Sequence, residues 1–369
     1  MNTLASSQLQ TPTFLSEKYI PTLNGWRAIA IIFVIMSHFK LTLTKDTLVQ
    51  VILKYIFISN FGVKIFFVLS GFLITTLLIK ESNNTGKIHV KKFLIRRFLK
   101  LIPLLYLYIS IIILINYALK LDLHYNNILL PILFFTNYDL QSTWLTMHTW
   151  SISVTEQFYL FFLITLHLIK LKYLSITILA SVLIFIPFLI NISTVLNIHP
   201  SLLLLPTFYY ASNLFIGCLL SLVMHDFNKV KTFINNRYFT IYNLLTSIII
   251  IYLINYCVIA FKPNEIIKYF CNILTSTLIA YLITFTITNN KNKFSLLLEK
   301  PLFVTLGLMS YSLFLWQQLF IIPKGNYPSL EKYFFFPLNI ILLFLISYLS
   351  YQYLEVGINL IKKRFSIIK

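Results

Sequence analysis

Residues 26–43, WRAIAIIFVIMSHFKLTL, decide how this chain is read. The run is long and apolar enough for a membrane-crossing helix, yet it carries Arg27 near one end and His38 near the other. Eleven residues at about 100° each amount to ~1100°, roughly 20° past three turns. Both side chains therefore share one helix face and lie ~16 Å apart along the axis. A face turned to lipid has no use for either, because an ionisable group at mid-bilayer costs roughly 2.5–3.5 kcal/mol or more unless it meets protein or a wet cavity. The shared face is a candidate working face, with a cation at a membrane surface and an imidazole deeper in.

The rest of the composition agrees with a membrane setting. With 58% hydrophobic and 11% charged residues in 369, and a mean hydropathy of +0.81, there is too little polar material to coat a soluble globule. Apolar runs of membrane-spanning length fall near 26–44, 56–79, 101–119, 150–169, 173–192, 206–224, 238–260, 269–288, 302–322 and 334–361. The expectation is an all-α polytopic membrane protein with about ten transmembrane helices. A short polar segment (1–20) precedes the membrane-embedded domain (21–363), and a basic tail (364–369) follows it. The formal net charge is +19, and threading ten spans from a cytoplasmic N-terminus puts most of the 30 Lys and Arg on that same side. This positive-inside pattern leaves both termini cytoplasmic and needs no nucleic-acid partner.

Several absences narrow the field. The residues ahead of the first span lack a short apolar core with a small-residue cleavage site, so no cleavable signal peptide is expected and the first span is the anchor. Cys218, Cys257 and Cys271 lie in apolar runs, which speaks against a disulfide framework and against a metal-binding cluster; no metal site is expected. No Gly-rich phosphate loop, HExxH or GxSxG is present. The chain stops soon after the last span, so the membrane domain is expected to meet its acceptor directly or through another protein.

Polar residues inside the apolar runs supply the candidate chemistry. Residues 80–100, KESNNTGKIHVKKFLIRRFLK, read as a basic cytoplasmic loop from which Arg96, Arg97 and Lys100 enter the third span on successive turns. They are either topology anchors and headgroup contacts or a polyanion clamp, for which arginine's planar fork suits phosphate. Glu156 lies ~9 Å inside the outer end of the fourth span, a depth similar to that of His38. A carboxylate beside an imidazole fixes its tautomer and raises its basicity; a structural pairing of Glu156 with a Lys or Tyr is the alternative. Gln317 and Gln318 enter near the same level, where hydrogen bonding between helices alone would explain them. His148 and Trp150 stand at the outer end of the fourth span, against substrate or at the interface. Ser70–Gly71 is a nucleophile beside a flexible glycine or simply close helix packing, and Lys64 can snorkel.

Five blocks in order carry a resemblance: YIPTLNGWRAIAIIFVIMSHF (19–39), FGVKIFFVLSGFLIT (61–75), RRFLKLIP (96–103), HTWSISVTEQFYL (148–160) and SYSLFLWQQLF (310–320). Together they resemble the signatures of the family-3 membrane acyltransferases, bacterial enzymes that O-acylate cell-surface glycans and some small molecules. The resemblance implies a ten-helix enzyme of the bacterial cytoplasmic (inner) membrane. It would transfer an acyl group, acetyl first, from cytoplasmic acetyl-CoA to a hydroxyl of a lipid-linked glycan such as a lipopolysaccharide O-antigen. Acetyl-CoA would be a substrate, not a permanently bound cofactor; membrane lipid and the glycan are the other partners. The family's arginine, ten intervening residues and histidine fall on Arg27 and His38. Its Arg-x-x-Arg block falls on Arg97 and Lys100.

Asn24 replaces the usual aspartate, Thr155 replaces the first Glu of the fourth block while Glu156 keeps the second, and Glu355-Val356-Gly357 replaces Glu-x-Pro. On this reading Arg27, Arg97, Lys100 and Arg96 hold the donor's phosphates, and His38 is the general base. Glu156 or a neighbouring polar group orients His38, while Trp150, His148 and Gln317 line the substrate path. Glu355 pairs with a base such as Arg97. A covalent relay through Ser70, Tyr159 or His38 stays open, and the competing class is a proton-coupled transporter or flippase.

Overall fold

The computed structural model describes residues 20–43, 47–58, 60–139, 141–168, 171–198, 205–225, 241–289 and 292–363. The polar segment up to residue 19 and the tail from 364 lie outside the described residues, as do Lys170, Lys229, Lys231, Arg237 and Lys291. The helices in chain order are α1 (Pro21–Phe39), α2 (Leu48–Ile56), α3 (Phe61–Thr85), α4 (Val90–Leu119), α5 (Asn126–Leu133), α6 (Trp144–Met147), α7 (Trp150–Leu168) and α8 (Leu171–Ala180). A π turn (Ser181–Phe185) joins α8 to α9 (Ile186–Val195), followed by α10 (Leu205–His225), α11 (Ile241–Phe261), α12 (Glu265–Thr288), α13 (Lys293–Leu298), α14 (Pro301–Leu308), α15 (Ser310–Phe320), α16 (Pro328–Glu331) and α17 (Leu338–Ser350). A second π turn (Tyr351–Glu355) leads into α18 (Val356–Lys363), and no strand occurs among the described residues.

Among the described residues, eight helical runs are long and apolar enough to cross a membrane, or nine if the pair α14–α15, bent by 70°, is one span. The chain is an integral membrane protein. The fourth expected span, α7, is not among the eight or nine; its first two turns carry Ser151, Ser153, Thr155, Glu156 and Gln157.

Two expectations change. The 80–100 stretch is mostly helix, not loop: α3 runs to Thr85, Gly86 follows at φ 71, and α4 has begun by Val90. Glycine adopts that left-handed conformation without a Cβ penalty and ends the helix within one residue, while the Lys and Arg beyond it are good helix formers. Arg27 is also not at the helix start. The first helix opens on Pro21, whose missing N–H costs nothing at that position, so Arg27 sits ~9 Å along α1.

The chain divides into two compact units. Of the described residues, the first comprises those within 20–26, 64–88 and 157–304. In it, a Cβ at Gly71 would overlap the Leu214 carbonyl oxygen, and one at Gly217 would overlap that of Val68, so α3 and α10 meet backbone to backbone. The Ser70–Gly71 step is thus part of close helix packing. Asn213 joins α10 to α12, its Oδ1 accepting from Asn272 Nδ2 (3.0 Å) and Ser276 Oγ (2.6 Å). Thr275, Thr277 and Thr284 on α12 donate to the carbonyl four residues back, which satisfies their hydroxyls within the helix.

The second unit comprises Arg27–Val63, His89–Glu156 and the chain from Thr305. Its core is α15, every residue of which is buried. Tyr311 Oη donates to the Leu101 carbonyl (2.7 Å) and Trp316 Nε1 to Ser350 Oγ (2.8 Å), tying α15 to α4 and α17.

Candidate active site

The second unit holds Arg27, Arg96, Arg97 and Lys100, expected to bind the donor, together with His38 and Glu156, whereas the relay candidates Ser70 and Tyr159 belong to the first. Arg27 is half-buried on α1 and lies in the electrostatic field of Glu355, Arg97 and Tyr351. On α4, Arg96, Arg97 and Lys100 fall within about 100° of one another around the axis, all half-buried. Arg97 Nη2 contacts Glu156 Oε1 at 3.1 Å, with side chains 21% and 9% exposed, and Lys100 also acts on that carboxylate. Glu355 accepts from Ser312 Oγ (2.5 Å) and feels Lys100 and Arg27. Two carboxylates thus stand among Arg27, Arg97 and Lys100, and cations remain in excess. Such a cluster suits a ligand with more than one negative charge, and the carboxylates keep the cations oriented while it is empty.

His38 stands at the other end of the face. Its Nδ1 lies 2.7 Å from Gln317 Oε1. With Gln317 presenting its amide oxygen, which only accepts, the matching tautomer has the proton on Nδ1 and the lone pair on Nε2, as a general base requires. The imidazole also meets the Trp144 ring edge-to-face at 5.0 Å. Trp144 Nε1 donates to the carbonyls of Gln318 (3.0 Å) and Ile321 (2.9 Å), and Gln318 Oε1 accepts from the His148 backbone N–H (3.2 Å). His148 is buried between Tyr108 (5.4 Å between centroids) and Phe314 (5.3 Å), and it is near enough to His38 for the two imidazoles to interact electrostatically. Trp150 is half-buried at the first position of α7.

The expected pairing of Glu156 with His38 is not what the fold makes. Residues 144–148 lie at the level of His38, so Glu156, ~9 Å along α7 from Trp150, is carried toward Arg97. Gln317 occupies the position beside Nδ1 instead. Glu355 likewise takes Ser312, and not Arg97, as its hydrogen-bonding partner. Residues not singled out from sequence are Tyr108, Trp144, Tyr311 and Ser312. For Tyr311 and Ser312 a signal existed in α15, where Ser310, Gln317 and Gln318 fall within about 100° of one another and Ser312 lies on the opposite side, so polar groups mark two sides of one short apolar helix. Among the described residues no three His, Cys, Asp or Glu side chains gather so as to hold a metal ion.

Comparison with known proteins bears on this arrangement. Among curated relatives, the O-acetyltransferase OatA of Staphylococcus aureus is 26% identical over 377 residues, covering 95% of this chain and 58% of the relative. The peptidoglycan O-acetyltransferase OatA of Listeria monocytogenes is 28% identical over 263 residues, covering 66% of this chain and 40% of the relative. The chain therefore spans little more than half the length of these relatives at most. No solved structure matches it. The model of the acyltransferase-3 family, described as "Acyltransferase domain", matches residues 20–355, from the start of α1 to Glu355, and the chain belongs to that family.

Proposed function

We propose that this chain transfers an acetyl group from cytoplasmic acetyl-CoA to a hydroxyl of an envelope glycan. The observation that carries this reading is the pairing of a cation cluster, Arg27 with Arg97 and Lys100, with a histidine ~16 Å further along α1 whose Nδ1 is tied to Gln317. Coenzyme A is a polyphosphate head on a long arm ending in the thioester, so its two ends need those two kinds of group at such a separation. Arg27, Arg97, Lys100 and Arg96 hold the phosphates, and the thioester reaches the level of His38.

His38 Nε2 takes the acceptor hydroxyl's proton as the oxygen attacks the thioester carbon, and imidazolium returns that proton to the departing thiolate. Transfer is direct. Trp150 lines the acceptor side, and Glu156 serves through Arg97. The basic end of α4 faces the cytoplasm together with both termini, in the bacterial inner membrane, and His38 lies nearer the outer face. A lipid-linked O-antigen unit is the first acceptor to try. The name of the Listeria relative makes peptidoglycan the second.

The test is acetyl transfer in membranes holding equal amounts of wild type, Arg27→Ala or His38→Ala, with labelled acetyl-CoA and extracted envelope glycans followed by mass spectrometry. An alkali-labile gain of one acetyl group that is lost in both variants supports the reading and identifies the acceptor. Undiminished transfer by His38→Ala excludes that residue as the base. No transfer by wild type from acetyl-CoA to any glycan excludes the donor and acceptor classes together.

A further inference from the structure

His148 lies 3% exposed, and neither ring nitrogen makes a hydrogen bond within 3.5 Å among the described residues, the Gln318 side chain and the Leu315 backbone being polar neighbours at longer range. A buried polar atom left unsatisfied is destabilising, and a phenyl ring would fill much the same space against Tyr108 and Phe314 without that cost. The backbone of His148 is held by Gln318 Oε1, and the next glutamine along the chain, Gln317, holds His38. One step of α15 thus positions both imidazoles, and of the two rings only that of His38 makes a short side-chain hydrogen bond. Gln317 Nε2 is likewise buried and unpartnered.

We propose that His148 is a second catalytic side chain, donating a ring N–H to the carbonyl oxygen of the bound thioester as that oxygen gains negative charge. This deepens the acetyl-transfer reading and rests on it. When the acceptor oxygen bonds to the thioester carbon, the hydroxyl proton passes to His38 Nε2 and the carbonyl π pair moves onto oxygen, where the His148 N–H meets it. Collapse re-forms the carbonyl, breaks the carbon–sulfur bond and sends the proton from His38 to the thiolate, leaving ester and coenzyme A. Proton acceptance is not the role of His148. A neutral imidazole carries one N–H, and that is the group the proposal uses. A donor fixed before reaction in a water-excluded site needs no reorganisation at the transition state.

Steady-state kinetics of the full-length protein in detergent or vesicles, with acetyl-CoA and a defined acceptor, test this. His148→Phe should lower kcat by about 10²–10³-fold, the usual cost of losing one oxyanion donor, while KM for acetyl-CoA stays within a few-fold. His148→Asn, which retains an N–H donor, should recover at least part of the loss. An unchanged kcat, or a rise in acceptor KM alone, overturns the assignment. His38→Ala run alongside separates the levels: if it too is fully active, the underlying base assignment has failed; if it is inactive while His148→Phe is not, only the present inference has.

Should His148→Phe not accumulate, infrared spectroscopy of purified His38→Ala protein with acetyl-CoA carbon-13-labelled at the carbonyl decides the matter. The bound carbonyl band should lie below its frequency in water, since an aligned donor in a dry site polarises it more strongly. A band at or above the water frequency overturns the proposal.

Discussion

His38 and Gln317 stand 279 residues apart and meet at 2.7 Å, so the tautomer of the imidazole is set by a residue far away in the chain. Gln317→Leu should lower kcat by about 10–100-fold with little change in KM for acetyl-CoA, because it removes the group that fixes Nδ1–H without touching the cation cluster. Initial-rate measurements at saturating donor check this, and a change confined to KM contradicts it. Arg97 and Glu156 call for a different kind of test, since breaking a largely buried ion pair leaves an uncompensated charge and typically costs about 3–5 kcal/mol. Arg97→Ala should therefore reduce the folded protein in membranes. Arg97→Ala with Glu156→Ala should restore its abundance while leaving the KM for acetyl-CoA raised. Recovery of both abundance and KM would show that Arg97 serves the fold alone.

At the scale of the element, α15 is where sequence and structure part most informatively. Its polar residues are readable as unfit for lipid, but the 70° bend after α14 and the burial of all its faces depend on helices remote in sequence. Ser312, Trp316, Gln317 and Gln318 consequently reach Glu355, Ser350, His38 and His148 from one short helix. The α3–α10 contact in the other unit yields a purely structural prediction. Gly71→Leu should lower the detergent melting temperature and the yield, as should Gly217→Leu, because each puts a side chain where the facing backbone already lies. Overpacking of this kind costs roughly 1–3 kcal/mol or more. An unchanged melting temperature for both would mean that the two helices separate without penalty. Gly86→Ala should be milder: nothing lies within 4 Å of its Cβ position, and only the positive φ resists the substitution.

At the scale of the whole molecule, the proposed orientation is testable through α4, whose thirty residues make ~45 Å of helix, more than the ~30 Å hydrocarbon core. Its two ends should lie on opposite faces of the membrane. In a cysteine-free background, Asp122→Cys should react with a membrane-impermeant maleimide in intact cells, and Asn84→Cys only after permeabilisation; the reverse pattern would invert the orientation. The helical membrane class, the placing of Arg27 and His38 on one helix and the acyltransferase signatures were legible in the chain because hydropathy, helical period and short motifs are local quantities. The partners were not. Glu156 was expected beside His38 from a similar depth, yet depth along two helices says nothing of which faces meet, and α7 brings it to Arg97. The sequence by itself determined which segments are helical and apolar and where the charged groups lie along them. Only the tertiary structure decided that Gln317 holds His38, that Glu156 holds Arg97 and that His148 is buried between Tyr108 and Phe314, because each of these depends on the rotation and bend of helices packed from distant parts of the chain.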